Sequence, residues 1–296
     1  MTTFSKGRVG IVLLNWNGLS DTEDCIRTLI DLDYNDYKII IIDNGSDETP
    51  KVLLNTYPSL IIKENNCNLG FAAGCNIGVK VAKEQGCELV WILNNDTVVM
   101  PNSLTLLVQA IRQPNTVGVT NMILYHDDPS LVWFGSGVIE KGIPHHKCYF
   151  MKKSNCNANE ETDFLSGCSF LVSTNQFLEI GGFDERLFCY LEDIELSLRI
   201  KRKGNIIFKK DAIVFHKVSK STGGNDSPLK LYYKHRNMVH FLRWTNQPYY
   251  YRLNWILSSL RYVASLIIKH HKPKSALGLL RGLFAGLFRQ YGKANF

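Results

Sequence analysis

Three short apolar runs, at residues 8–14, 38–42 and 88–93, each end in a cluster of Asn, Asp or Gly, and segments of helical periodicity lie between them. That alternation constrains the fold more than any other feature. Parallel strands need a crossover, and a helix fills it. The expected fold class is therefore α/β, with a mostly parallel sheet flanked by helices on both faces, Rossmann-like in layout.

The local signals agree. Ser20 and Glu23 make a capping box ahead of Cys25, Ile26, Leu29 and Ile30, which have helical spacing. Residues 60–63 form a further strand. Residues 70–85 read as a helix carrying Ile77, Val81 and Ala82. Pro101 and Asn102 open a helix that runs to Arg112, and residues 117–120 form another strand. In the second half, residues 131–139 and 164–173 read as strands around a polar stretch, 141–162. A helix spans 192–203, with Gly204 as its stop. Residues 206–208 and 212–216 read as two last strands, and the Gly- and Ser-rich 219–227 as a mobile loop.

Charge divides the chain. Residues 227–296 carry 12 Lys and Arg and no acid, while residues 1–226 carry 22 against 27. An acidic body with a cationic tail points to an anionic partner for the tail. Leu253, Ile256, Leu257, Leu260, Val263, Ala264 and Ile267 repeat at helical spacing opposite Asn254, Ser258, Arg261 and Ser265. Leu279, Leu280, Leu283, Phe284, Leu287 and Phe288 mark a second such helix. The first stretch falls short of the roughly 20 apolar residues that cross a bilayer. Two readings stand: a pair of interfacial membrane helices, or a helical cap on the body. Gly278, Gly282 and Gly286 add a small-residue packing signal. No nucleic-acid motif accompanies the basic tail, so nucleic acid is not expected as a partner. The eight cysteines form no CxxC pair, and no signal peptide precedes the first strand. Free thiols in a reducing cytoplasm are the expectation.

Ligands of open α/β sheets sit beyond the carboxyl ends of the strands. Three polar clusters fall there: Asn15-Trp16-Asn17-Gly18, Asp43-Asn44-Gly45-Ser46-Asp47 and Asn94-Asn95-Asp96. Each alone is a common turn; three on one edge make a binding cleft. The stretch from Asn68 through Gly70 and Gly74 to Asn76 is small and polar before a helix, where backbone approaches phosphate closely. It matches neither a dinucleotide fingerprint nor a P-loop. Glu192 and Asp193 open a helix behind Phe188 and Tyr190, an aromatic wall suited to an acceptor. A carboxylate there can serve as general base.

Taken in order and spacing, these segments resemble family 2 glycosyltransferases, which have the GT-A fold and invert the anomeric carbon. The resemblance covers residues 8–240, with Gly181-Gly182-Phe183-Asp184-Glu185 and Tyr190-Leu191-Glu192-Asp193-Ile194-Glu195-Leu196 matching the acceptor half. The Asn-Trp-Asn-Gly opening and the Asn-Asn-Asp segment look most like the rhamnosyltransferase-like branch. The resemblance implies a glycosyltransferase domain over residues 1–226, with a nucleotide half (1–120) and an acceptor half (121–226), before the basic region 227–296. It implies that Asp43 recognises the base, with Asn15 and Asn17 in the same pocket. Asn68, Gly70 and Asn76 would lie near ribose and phosphates. Asn94, Asn95 and Asp96 occupy the place of the metal motif, whose first acid is here Asn94. Asp96 would ligate Mg²⁺ or Mn²⁺, and His216 matches the frequent second protein ligand, unless it is a satisfied buried histidine. Asp193 would be the catalytic base, with Glu192 the second choice. Ser221, Thr222, Gly223 and Gly224 would close over the donor, and Tyr233 and Arg236 could touch phosphate.

The implied reaction moves a sugar from a nucleotide diphosphate-sugar, dTDP-rhamnose or a UDP-hexose, to a saccharide or lipid-linked acceptor in surface-polysaccharide synthesis. The tail would hold the enzyme on an anionic membrane at its cytoplasmic face. Two other classes compete. A nucleotidyltransferase would show a Gly-rich loop with a basic residue at the first strand end, where Asn-Trp-Asn-Gly stands. A non-catalytic nucleotide-sugar binder would tolerate Asn94 but has no use for the Glu192-Asp193 pair.

Overall fold

The computed structural model describes residues 7–158, 160–218 and 226–294. β1 (Val9–Asn15), β2 (Tyr37–Asp43), β3 (Ile61–Glu64) and β4 (Leu89–Asn94) alternate with α1 (Leu19–Leu29) and α2 (Phe71–Glu84). Next come β5 (Thr97–Val99), α3 (Ser103–Ile111), β6 (Thr116–Tyr125) and β7 (Val132–Phe134). β8 (Gly137–Glu140) and β9 (Ile143–His146) form a separate hairpin. β10 (Ser169–Ser173), α4 (Thr174–Glu179), α5 (Glu192–Ile200) and β11 (Asn205–His216) complete the body. The tail is α6 (Pro228–Trp244), α7 (Tyr249–Ile268) and α8 (Pro273–Leu287).

The main sheet has the order β3-β2-β1-β4-β10-β6-β11-β5, with β7 beside β6. β10 runs against both β4 and β6, and β11 runs with β6. The sheet is thus mostly parallel, as the alternation predicts. Successive residues of a strand face opposite sides, and both sides are filled. Ile11, Leu13, Ile41 and Trp91 pack under α1 and α3, and Val12, Ile40, Ile42 and Ile92 under α2, α4 and α5.

Several local expectations change. The capping box does not form: Gly18 is the N-cap of α1 with no side-chain cap, and Glu23 pairs with Arg27 instead. The two last strands are one, β11, interrupted by an irregularity between Lys209 and Ile213. α6 is a helix that the periodicity did not single out, because His235, Arg236, Asn237 and His240 are buried in it beside its apolar residues. Met238, Phe241 and Leu242 of α6 share a core with Phe134, Phe164 and Phe208 of the body.

The glycine repeat of the tail is an intramolecular seam. α8 lies so close to α6 that a Cβ on Gly278 would fall 2.4 Å from the Pro228 carbonyl oxygen. On Gly282 it would fall 2.3 Å from the Tyr232 oxygen. Arg243 closes the seam by donating to the carbonyls of Gly286 at 2.6 Å and Leu287 at 3.0 Å. The helical cap therefore exists, while Leu253, Leu257, Leu260, Ile267, Leu277, Phe284 and Phe288 stay exposed on its outside.

The expectation of eight free thiols needs one correction. Cys148 and Cys156 are joined in a disulfide, their Cα atoms 5.4 Å apart. The turn after β9 folds back on itself, with Met151 N–H on the Cys148 carbonyl, and so brings the two together.

Candidate active site

Register gathers the strand-end clusters. Asn15 stands opposite Asp43 between β1 and β2, and Leu14 opposite Asn94 between β1 and β4. Asn15 Nδ2 donates to Asp43 Oδ1 at 2.9 Å, and the Ser46 hydroxyl donates to the same oxygen at 2.6 Å. Asn17 joins them: its N–H reaches Ser46 Oγ at 2.8 Å, and its Oδ1 accepts the Asp47 N–H at 2.8 Å. Asn95 Nδ2 donates to Thr22 Oγ1 at 2.9 Å, and Thr22 in turn donates to Asn15 Oδ1 at 3.0 Å. One hydrogen-bonded network thus spans three loops.

Asn68 Oδ1 accepts the Gly70 N–H at 2.8 Å and the Asn44 amide at 3.1 Å. Gly70 has φ 89°, and a Cβ there would lie 2.5 Å from the Phe188 carbonyl oxygen, so only glycine fits. Asn76 departs from its assignment. It ties α2 to the acceptor half, giving its amide hydrogens to the Phe183 carbonyl and the Glu185 carboxylate, both at 2.9 Å. The loop assigned to Ser221, Thr222, Gly223 and Gly224 lies outside the described residues.

β5 pairs with the end of β11, and this antiparallel register brings Asp96 to His216. Asp96 Oδ1 lies 3.1 Å from His216 Nε2, and both residues are 7% exposed. Burial opposes charge on the imidazole, yet the Cys168 sulfur and the Asp96 carboxylate raise it to about 10. His216 Nδ1 is buried without a hydrogen-bond partner. A carboxylate oxygen and an imidazole with an unused nitrogen fit a divalent cation, which would displace the proton between them. Among the described residues no third His, Cys, Asp or Glu completes such a group. A cation here would draw its other ligands from substrate or water. Lys217 braces the pair from outside: its N–H reaches the Asp96 carbonyl at 2.9 Å, and its Nζ bridges Asp21 and Asp24 of α1.

Asp193 reaches the same place by another route. Its Oδ2 accepts the Gly167 N–H at 2.7 Å, and the next residue, Cys168, accepts the Asn94 N–H on its carbonyl at 2.8 Å. The charges of His216, Asp96 and Asp193 all act on the buried Cys168 thiol, though burial dominates and raises it. Burial raises the carboxyls of both Glu192 and Asp193, Glu192 the more strongly. The backbone N–H groups of Gly167 and Ile194 hold Asp193 back toward its ionised form. Glu192 Oε2 is buried without a partner, which suits a protonated acid.

The segment entering α5 is strained. Phe188, Tyr190 and Leu191 have φ of 66°, 68° and 70°. Such conformations cost about 1–3 kcal/mol each and persist only where the surroundings impose them. Here α6 imposes them. Asn237 Nδ2 reaches the carbonyls of Leu187, Cys189 and Tyr190 at 3.0, 2.9 and 2.8 Å, and Arg236 Nη2 donates to Leu187 at 2.7 Å.

This corrects two expectations. Arg236 is fully buried and holds the Leu187 and Gly292 carbonyls, so it does not face phosphate. The Tyr233 hydroxyl accepts the Ala294 N–H at 2.8 Å, and its ring stacks on Phe188, which is thereby withdrawn from the aromatic wall. Asn237 and Lys217 are positioning residues that the sequence did not single out, and Arg236 positions the same loop instead of touching phosphate. An adjacent Arg-Asn pair between Tyr233 and Met238 was the available signal.

Known proteins are similar to this chain in sequence and fold. The family model described as glycosyl transferase family 2 matches residues 11–175. An N-acetylglucosaminyl-diphospho-decaprenol L-rhamnosyltransferase of Mycobacterium tuberculosis is 27% identical over 267 residues, covering 80% of this chain and 85% of that protein. The rhamnosyltransferase WbbL of Escherichia coli is 24% identical over 205 residues, covering 62% of this chain and 74% of that one. Among solved structures, a Pyrobaculum calidifontis mannosyltransferase in complex with GDP-Man and Mn²⁺ superposes with a TM-score of 0.63 at 14% identity, covering 97% of this chain and 88% of that one. GalNAc-T7 with UDP, GalNAc and Mn²⁺ gives 0.64 at 18% identity over 80% of this chain, which spans 48% of that longer one. These structural likenesses show the fold.

Proposed function

This chain belongs to glycosyl transferase family 2, and from that premise we propose that it is an inverting, divalent-metal-dependent sugar transferase acting at a membrane surface. The Asp96–His216 pair, and Asp193 tied to the turn at Gly167 and Cys168 that also binds the Asn94 N–H, carry the proposal. The donor is a nucleotide diphosphate-sugar, with dTDP-rhamnose first and a UDP-hexose second. The acceptor is a saccharide on a lipid diphosphate, the class for which the mycobacterial relative is named.

Asp43, fixed by Asn15 and Ser46, offers a rigid acceptor to the base. Gly70 lets the backbone approach ribose and phosphates, with Asn68 holding its N–H. Asp96 and His216 would hold a divalent cation, Mg²⁺ or Mn²⁺, which would supply positive charge to the diphosphate leaving group. Asp193 takes the proton of the acceptor hydroxyl as it attacks from the opposite face, which inverts the anomeric carbon. Such a base contributes about 10²–10⁴-fold.

The cationic tail and the exposed apolar residues of α7 and α8 support a peripheral site on an anionic leaflet, at its cytoplasmic face. No helix among the described residues is long and apolar enough to cross a membrane. The test is a donor screen with Mg²⁺ or Mn²⁺ and an N-acetylglucosaminyl-diphospho-prenol acceptor, scoring nucleotide diphosphate release and the anomeric configuration of the product. Release from no donor sinks the proposal, and a retained configuration sinks its mechanism.

A further inference from the structure

The loop that follows β9 carries three apolar side chains in a row into water. Tyr149, Phe150 and Met151 are 44%, 56% and 44% exposed. Large apolar groups scattered singly over a surface are ordinary, but three in succession at one loop tip make a patch. The reaction described so far has no use for them.

The tip is held in place. Phe150 N–H donates to the Val132 carbonyl, and Val132 N–H donates to the Met151 carbonyl, both at 2.9 Å. Lys147 N–H reaches the Ser136 carbonyl at 2.9 Å, and Lys153 N–H reaches the Ser130 carbonyl at 2.7 Å. The chain around β7 thus supports the loop at both ends, and the Cys148–Cys156 bridge closes it. Phe150 has φ 60°, a left-handed conformation that a bulky residue keeps only where its surroundings impose it. A slack loop would turn such groups inward. This one is fixed in the conformation that presents them.

The charge around the tip selects its occupant. Lys147 precedes the three residues, and Lys152 and Lys153 follow them, all exposed. No Asp or Glu lies between Lys141 and Ala158. An apolar tip flanked by ammonium groups matches the boundary between acyl chains and anionic headgroups, the rings entering and the lysines staying at the phosphates. The tail carries the same combination on helices.

The tip is also joined to the site. The Tyr149 ring lies 6.1 Å from His146, His146 lies 5.7 Å from Trp133, and Trp133 lies 4.6 Å from His216. Three ring contacts therefore connect it to the candidate metal pair. The far end of the β8–β9 hairpin meets the tail: a Cβ on Gly142, in its turn, would fall 2.4 Å from Gln247 Cγ, just before α7.

We propose that Tyr149, Phe150 and Met151, with Lys147, Lys152 and Lys153, form a membrane-contact loop that seats the acceptor half on an anionic leaflet. It rests on the membrane reading above and adds a second contact, in the body of the protein. With the loop seated, a lipid-linked acceptor reaches the site from the leaflet beside it.

The experiment is co-sedimentation with vesicles of mixed phosphatidylcholine and phosphatidylglycerol. It compares wild type, Phe150→Asn with Met151→Ser, Lys152→Ala with Lys153→Ala, and the tail variant Phe284→Ser with Phe288→Ser. Asparagine suits the left-handed φ at position 150, so the loop keeps its path when the ring is gone. Partition into the vesicles falls about tenfold in the first loop variant. In the lysine variant it falls about tenfold on these vesicles and stays level on pure phosphatidylcholine. That variant leaves the apolar tip intact, so it decides the case if the first lowers Tm. Wild-type partition in both loop variants overturns the proposal, and a loss in the tail variant alone then leaves the tail as the only contact. A loss in the loop variants with none in the tail variant upholds the loop and removes the tail. A wild type that does not sediment overturns both. A dimer in sedimentation velocity that Phe150→Asn splits into monomers gives the tip to a second copy and overturns the leaflet. Turnover on a water-soluble short-prenyl acceptor stays at the wild-type level in both loop variants; a loss there equal to that on a vesicle-borne acceptor overturns the proposal. The binding arm needs no turnover, so a chain that sediments through this loop but transfers no sugar sinks the transferase reading and leaves the loop standing.

Discussion

Gly167 donates its backbone N–H to Asp193 Oδ2 at 2.7 Å, and this single bond joins the acceptor-side carboxylate to the turn that precedes β10. It also separates two adjacent acids. Asp193 accepts two backbone N–H groups, while Glu192 Oε2 is buried with none. Burial raises the Glu192 carboxyl further than that of Asp193, which its two N–H donors hold back toward the ionised form.

That division predicts opposite outcomes for two isosteric changes. Asp193→Asn lowers kcat by about 10²–10⁴ and leaves donor binding in place. Glu192→Gln keeps activity within a few-fold, because an amide replaces an acid that is already neutral. The acid limb of kcat lies above the ordinary Asp range, since burial raises the Asp193 carboxyl. Steady-state kinetics against pH, with donor affinity measured separately, checks all three. Near-normal turnover in Asp193→Asn refutes the base.

The Asp96–His216 pair predicts cation dependence shared between two strands. His216→Ala and Asp96→Ala each lower kcat by about 10²-fold or more, the order of one lost electrostatic stabiliser. Each also raises the Mn²⁺ concentration needed for half-maximal rate. A variant with the wild-type response to Mn²⁺ shows that its side chain is not a ligand.

How much of this was legible beforehand differs by element. β1, β2 and β4 are buried on both faces, so their apolar runs and polar ends stood out, and with them Asn15, Asp43 and Asp96. Glu192 and Asp193 were legible because three acids, these two and Glu195, crowd the first turn of α5. α6 was not, because its buried Arg236 and Asn237 bind the carbonyls of a strained loop, and periodicity counts such residues as surface. Nor could a sequence show that Phe188 turns inward onto Tyr233, since φ near 66° at a phenylalanine is set by tertiary contacts. The apolar residues of α7 were read as one stripe, but Val263 faces inward while Leu257 and Leu260 face out. Three helices share them in two directions.

The seam between α6 and α8 leaves no room for side chains. Gly282→Ala puts a Cβ 2.3 Å from the Tyr232 carbonyl oxygen, where backbone must move. Overpacking of this kind costs about 1–3 kcal/mol. Thermal unfolding shows a lower Tm for Gly282→Ala, while Leu277→Ala on the exposed face is close to neutral. An unchanged Tm means that α8 does not pack as described.

The seam also dictates how membrane binding should be tested. Deleting the tail would strip α6 of its partner and expose Leu231 and Val239. Point changes on the outer face avoid this. Phe284→Ser with Phe288→Ser removes two large exposed apolar groups and leaves Gly282 and Leu283 in place. Sedimentation with vesicles rich in anionic lipid falls by about tenfold or more, each buried CH₂ being worth about 0.8 kcal/mol. Tm stays near that of wild type, and sedimentation unchanged from wild type refutes the outer face as the membrane contact.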